Sequence, residues 1–323
     1  MEIRDILIRA GIAEVRQPQR LLFHYYKDRY AAMLLEDLLQ PRLPLRVLRE
    51  SRYGRLLDRP ALKALSASKG DGWLHHDDLS ILWPSEIQTY SVTFALWGSE
   101  NRQDQGWHQT SRPRRQLVLQ LNFPHAHDVQ YRHLIESAKD MPFTYDYHPI
   151  NQNGRNTMAW ARIDIDPASG EALIEEVQTD WVRNVREKLA AAVRGRGEFA
   201  ESKACNSLKI YAEGVLAPHT AMWSEATLAA TLYVLGHLCG FRRVWFHHFD
   251  TGNELKRMRR EPPRSLYTDL PKRFCFELTD EAPHFILPAQ PRWLRRKLEQ
   301  RAGLFWRLDA PHKASLSAAK ASL

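Results

Sequence analysis

Residues 161–181 read ARIDIDPASGEALIEEVQTDW, and the fold turns on how this stretch is taken. Two runs of alternating apolar residues flank PASG, whose Pro167 and Gly170 suit a short connection between antiparallel strands. Side chains two apart on a strand share a face. Glu176, Gln178 and Asp180 therefore line one side and Glu175, Val177 and Thr179 the other. On the partner strand Asp164 and Asp166 share a face, and a hairpin of this length sets one of them beside Glu176.

Working outward, "IQTYSVTFALW" at 87–97 and "RQLVLQLNF" at 115–123 read as strands of the same sheet. Between them lies a polar, Gly- and Pro-punctuated loop whose Arg112, Arg114 and Arg115 are candidates for phosphate. After the hairpin come a basic helix, "VRNVREKLAAAVRGRG", and a second helix, "SEATLAATLYVLGHLCG", capped by Ser224 with Glu225 in its first turn and stopped at Gly240. "RRVWFHHF" follows as a strand, "TGNELKRMRR" as a short helix and "KRFCFEL" as the last strand. Upstream, residues 3–39 carry the spacing of two amphipathic helices, ended by Pro41 and Pro44.

This order predicts an α+β fold, a mixed sheet with a hairpin at its centre and helices covering it. Three regions are expected: a helical region at 1–85, a mixed-sheet domain at 86–288 and a basic, flexible tail at 289–323, ending in the low-complexity run "KASLSAAKASL".

The chain has 323 residues, enough for a sizeable core without covalent staples. Its three cysteines form no C-x-x-C pair, which argues against a zinc knuckle or disulfide framework and reads as buried apolar residues. No stretch resembles a signal peptide or a membrane span, so a cytoplasmic protein that does not enter membranes is expected. Lys and Arg exceed Asp and Glu by 46 to 38, a formal net charge of +8, which favours polyanionic partners. Arg183, Arg186, Lys188 and Arg194 on the basic helix, with Arg295 and Arg296 in the tail, are the candidate contacts to nucleic acid.

Carboxylates crowded on one hairpin face are tolerated when a cation or a shared proton relieves them. Asp166, Glu176 and Asp180 thus become candidate ligands for a divalent metal, Mg or Mn, and Asp164, Asp166, Glu176 and Gln178 candidate catalytic residues. The plainer alternative is a set of surface ion pairs worth less than about 1 kcal/mol each. Among the histidines, His75 and His76 fall where a helix begins, His125 and His127 in a turn, and His247 and His248 at a strand end, where α/β proteins commonly place functional groups. Trp181 reads as core.

The order "RIDID", turn, apolar run, "EVQ" resembles the core of the PD-(D/E)xK nuclease superfamily, with Gln178 at the usual lysine position. That resemblance implies a metal-dependent phosphodiesterase in which the acidic pair holds the ion and Gln178 positions water or phosphate. "LIEEVQTDW", then "WSEATL" and "HLCGFRRVWF", is similar over residues 155–285 to an uncharacterised domain of phage and mobile-element polyproteins that writes "EEIQSDW". It implies a mobile-element or phage-conflict setting with no reaction attached, and leaves a non-catalytic nucleic-acid- or partner-binding protein open. Residues 158–278 also resemble the hairpin, helix, strand, helix, strand order of GNAT-like acyltransferases, with Asn253 and Tyr267 near that family's late Asn and Tyr. "WVRNVREKLA" lacks the glycine with which those enzymes hold a pyrophosphate.

Overall fold

The computed structural model describes residues 21–39, 41–136, 143–151, 154–258 and 261–309. Eight strands form one mixed sheet, in the order β1 (Leu21–Tyr25), β4 (Gln88–Trp97), β5 (Gln116–Asn122), β6 (Thr157–Asp166), β7 (Glu171–Gln178), β8 (Arg243–His247), β10 (Phe305–Asp309), β9 (Glu277–Thr279). All neighbours are antiparallel except β7 and β8. A small ribbon, β2 (Arg42–Pro44) with β3 (Trp73–His75), stands apart. The α+β architecture and its central hairpin follow the expectation from the sequence.

Each face of the sheet has its own cover. Ala161, Ile163, Ile165, Ala172 and Ile174 point into the main core, which also takes α1 (Arg29–Leu38), α6 (His125–Leu134), α7 (Trp181–Val193), α8 (Ser202–Ile210), α9 (Ala217–Tyr233) and α11 (Ser265–Arg273). Leu173, Trp245 and Phe305 point the other way, against α10 (Phe249–Leu255) and α12 (Arg292–Glu299). The remaining helices are short: α2 (Leu45–Glu50), α3 (Pro60–Ser68), α4 (His76–Ser80) and α5 (Gln105–His108).

Five readings are corrected. "LLFHY", taken as helix, is the edge strand β1, because Phe23 and Tyr25 alternate inward against β4. Residues from Phe23 to Leu79 share the main core, so the N-terminal region is continuous with the sheet. The second helix starts at Ala217, with Pro218 in its first turn, so Ser224 is interior and Glu225 fully buried; Gly240, at φ 73°, does follow its end. "KRFCFEL" contributes only the short strand β9. The expected tail is structured to Asp309, since α12 buries Leu294 and Leu298 and β10 inserts between β8 and β9. Residues 310–323, with the low-complexity run, and 1–20 lie outside the described residues.

Candidate functional site

The register of β6 against β7 slips between Arg162 and Ile163: Glu176 pairs with Arg162, Ile174 with Ile163, and Glu175 is the extra residue of a β-bulge. The bulge breaks the strict alternation assumed from the sequence. Glu175 contacts Gln116 and His247, whose neighbours Leu117 and Phe246 face the opposite core, so Glu175 and Glu176 point to one side together.

That side carries a chain of charges. At its centre Glu175 is fully buried and its carboxylate accepts from the Ser111 amide (3.1 Å), the Ser111 hydroxyl (2.8 Å), Gln116 Nε2 (2.8 Å) and His247 Nε2 (3.0 Å). Burial alone would raise its pKa, but His247, Lys256 and Arg162 bring it down to about 2. Burial also pushes the His247 pKa down, against the pull of Glu175. Lys256 is buried as well and donates to the Glu175 carbonyl at 2.8 Å. It caps the point where β7 runs on beyond its pairing with β8, which ends at Ile174.

The predicted catalytic and metal residues lie along this strip, each with its own partner. Arg112 holds Asp164 through two hydrogen bonds, 2.6 and 2.9 Å, and lies over the Phe285 ring. Burial raises the Asp164 pKa to about 6 against the pull of Arg112. Arg162 pairs with Glu176 at 2.5 Å. Asp166 accepts from Ser169 within the turn. Asp180 accepts from Gln178, Arg183 and His148. Asp166, Glu176 and Asp180 do not converge, and no group of three His, Cys, Asp or Glu side chains among the described residues is placed to hold a metal. The donor set does not fit the divalent ion expected from the sequence.

At the far end of β7 the strip opens to solvent. His148 donates from Nδ1 to Asp180 Oδ2 at 2.5 Å, and its Nε2 makes no hydrogen bond to the described residues. The His148 side chain is 22% exposed while Asp180 is 1% exposed. Asp180 immediately precedes α7, where the helix dipole favours a carboxylate. Arg183, one turn on, pairs with Asp180 at 2.5 Å and keeps 39% of its side chain exposed. Tyr145 and Tyr147 stack at 5.3 Å beside His148, with Tyr147 65% exposed. A histidine oriented by a buried carboxylate, with its second nitrogen free, is the arrangement of a general base.

Sequence reasoning missed His148, Ser111 and Lys256. His148 lies in "TYDYHPI", where only the crowding of aromatics about a histidine offered a signal. Ser111 and Lys256 had none, because their partners are remote in sequence.

The other candidates are placed as follows. His127 is buried in α6, stacked on Phe123 at 3.6 Å and bonded to Tyr211, rather than in a solvated turn. His75 caps α4 with Asp78. Trp181 is core. Cys275 is buried, while Cys205 and Cys239 are only partly so. Arg186 and Arg194 are exposed and Lys188 pairs with Glu198. Arg295, paired with Glu299 at 3.9 Å, and Arg296 belong to α12, on the sheet face opposite α7. No helix among the described residues is long and apolar enough to cross a membrane. Comparison with protein families, curated proteins and solved structures finds no match.

Proposed function

We propose that the chain acts on nucleic acid at the His148–Asp180 corner, as a phosphodiesterase that uses a histidine base. The observation that carries the reading is the Nδ1 bond from His148 to buried Asp180, which leaves Nε2 free at the surface. Nε2 takes the proton of the attacking hydroxyl, and Asp180 stabilises the imidazolium that results. Arg183, with exposed guanidinium surface, meets the phosphate charge, and Tyr147 offers a ring on which an unpaired base can stack. The nucleophile best suited to this site is the 2′-hydroxyl of single-stranded RNA: its oxygen bonds phosphorus as the P–O5′ bond breaks, leaving a 2′,3′-cyclic phosphate, and the imidazolium gives its proton to the departing 5′-oxygen.

The test is cleavage of a fluorescent single-stranded RNA in EDTA. His148→Ala should lose cleavage and keep affinity. Native protein that binds but never cleaves RNA or DNA, with or without magnesium, leaves the binding-module reading and removes the enzymatic one.

A second reading, acyl transfer, is favoured by one separate feature. His247 Nδ1, Thr251 Oγ1, Asn253 Nδ2 and Tyr267 Oη are buried without partners, all at or beyond the C-terminal end of β8. Ligands of parallel strands gather at such ends. Against it, the turn before α7 holds the carboxylate of Asp180 where a pyrophosphate would have to sit. Retention on a coenzyme A resin, together with acyl-CoA turnover, is the outcome that would favour it.

A further inference from the structure

A cavity of about 810 Å³ opens away from the His148 corner, between the β1–α1 turn, the start of α3, the 81–88 segment and α9. Its walls are mostly apolar, with Tyr26, Leu62, Leu82 and Met222 inside and Trp83, 47% exposed, at the mouth. The size falls within the range of about 300–1,000 Å³ usual for small-molecule sites.

One end of the cavity carries Lys27, Asp28 and Arg59. Buried Glu225 fixes that end. Its carboxylate accepts from Lys27 Nζ (2.5 Å), from the Asp28 amide (2.9 Å) and from Arg273. The Asp28 amide bond holds a left-handed residue, φ 65°, that a non-glycine rarely adopts. Lys27 and Arg273 are thereby engaged, whereas Arg59 is not. Its nearest acidic oxygen is Asp28 Oδ1 at 3.9 Å, beyond hydrogen-bond reach, and that buried oxygen itself has no hydrogen bond. Three cations, Lys27, Arg59 and Arg273, thus surround two carboxylates, Asp28 and Glu225. The surplus positive charge is a guanidinium with its donors free, facing an apolar chamber.

We propose that this cavity binds a small amphipathic carboxylate, its acid group held by the Arg59 fork and its hydrocarbon body lying against Leu62, Leu82 and Met222. A planar guanidinium pairs with a carboxylate through two parallel hydrogen bonds, which a lysine cannot reproduce. Glu86, at the mouth, is exposed and its charge is screened. The site is separate from the phosphodiester reading, and neither depends on the other.

Isothermal titration of the full chain with sodium decanoate, below its micelle concentration, tests the proposal. Decanoate should bind with one-to-one stoichiometry, decanol at least tenfold more weakly, and decylamine not at all. Arg59→Gln should weaken decanoate at least tenfold and leave decanol unchanged. Met222→Trp, which fills the chamber, should abolish both. The proposal is overturned if decanoate gives no heat, if decylamine binds as well, or if Arg59→Gln makes no difference. Should a variant fail to fold by circular dichroism, the three ligands on native protein still decide the matter.

Discussion

Two histidine–carboxylate pairs are anchored on the β6–β7 hairpin and its exit, and they are built in opposite senses. His247 meets Glu175 through Nε2, both side chains are fully buried, and Ser111, Gln116 and Lys256 close around them. His148 meets Asp180 through Nδ1, with the carboxylate buried and the imidazole reaching solvent. The first pair is closed off from solvent, and the carboxylate and the Ser111 hydroxyl both lie on its Nε2 side. In the second, the two nitrogens have separate tasks, one to be held and one to react. Residue types do not distinguish these pairs; which nitrogen is engaged, and whether the other meets solvent, does.

The sharpest way to break the contrast is to remove each histidine. His148→Ala should lower RNA cleavage by about 10²–10⁴-fold, the usual contribution of general acid–base catalysis, with an unchanged melting temperature. His247→Ala should do the reverse, reducing stability while the folded fraction retains its specific activity. Loss of activity in both at equal stability would show that the buried pair is catalytic.

Glu175→Ala should cost about 3–5 kcal/mol in urea unfolding, since it leaves the buried Ser111, Gln116 and His247 without the acceptor they share. An effect below about 1 kcal/mol would mean that the network is dispensable. Asp180→Ala, by contrast, should act chiefly on activity, because its partners reach water.

Acid should reveal the buried pair next. Glu175, depressed from 4.5 to about 2, contributes stability that is present above 4.5 and lost as pH falls towards 2. The interval corresponds to about 3 kcal/mol at most. His247, lowered by burial from 6.5, acts in the same sense, its contribution fading as pH falls below 6.5. Asp164, raised from 3.8 to about 6, acts oppositely: its contribution is full below 3.8 and lost as pH rises through 6. Between pH 6 and 4.5 Asp164 and His247 therefore oppose each other, and below 4.5, where Glu175 adds its loss, native protein should weaken towards pH 2; Glu175→Gln should flatten that acid limb. Parallel curves for the two proteins would refute the assignment.

The hairpin, the strands at 88–97 and 116–122 and the basic helix were legible because period and turn chemistry are local. The bulge was not. A bulge adds one residue without changing the pattern of residue types, yet it moves Glu175 across the sheet and turns an expected open carboxylate face into a buried network. Arg112 and Arg162, read from sequence only as positive charge or not at all, decide the fate of Asp164 and Glu176 from 52 and 14 residues away. β1 was hidden because "LLFHYYKDRY" fits both periods over so short a span, and its pairing with β4 decided between them. β10 was missed because the density of arginines beyond residue 290 outweighed the apolar alternation of "LFWRL".

The smallest effect expected is also the one that locates the nucleic acid. Arg183 lies on α7 and pairs with Asp180, the partner of His148, and Arg186 sits about one turn further along the same helix, whereas Arg295 and Arg296 lie on α12, which packs against α10. Each phosphate neutralised on single-stranded nucleic acid contributes about −0.7 to the slope of log affinity against log salt. Arg183→Ala and Arg186→Ala should each make the slope shallower by about that amount and weaken binding only a few-fold at 50–200 mM salt. Arg183→Ala should also slow cleavage, because Arg183 alone of the two touches Asp180. Arg295→Ala with Arg296→Ala should leave the slope where it was. Truncation before residue 290 cannot serve as the control, because it would remove β10 from between β8 and β9. If fluorescence anisotropy instead finds the slope governed by Arg295 and Arg296, the nucleic acid runs along α12 and Arg183 is not what holds its phosphates.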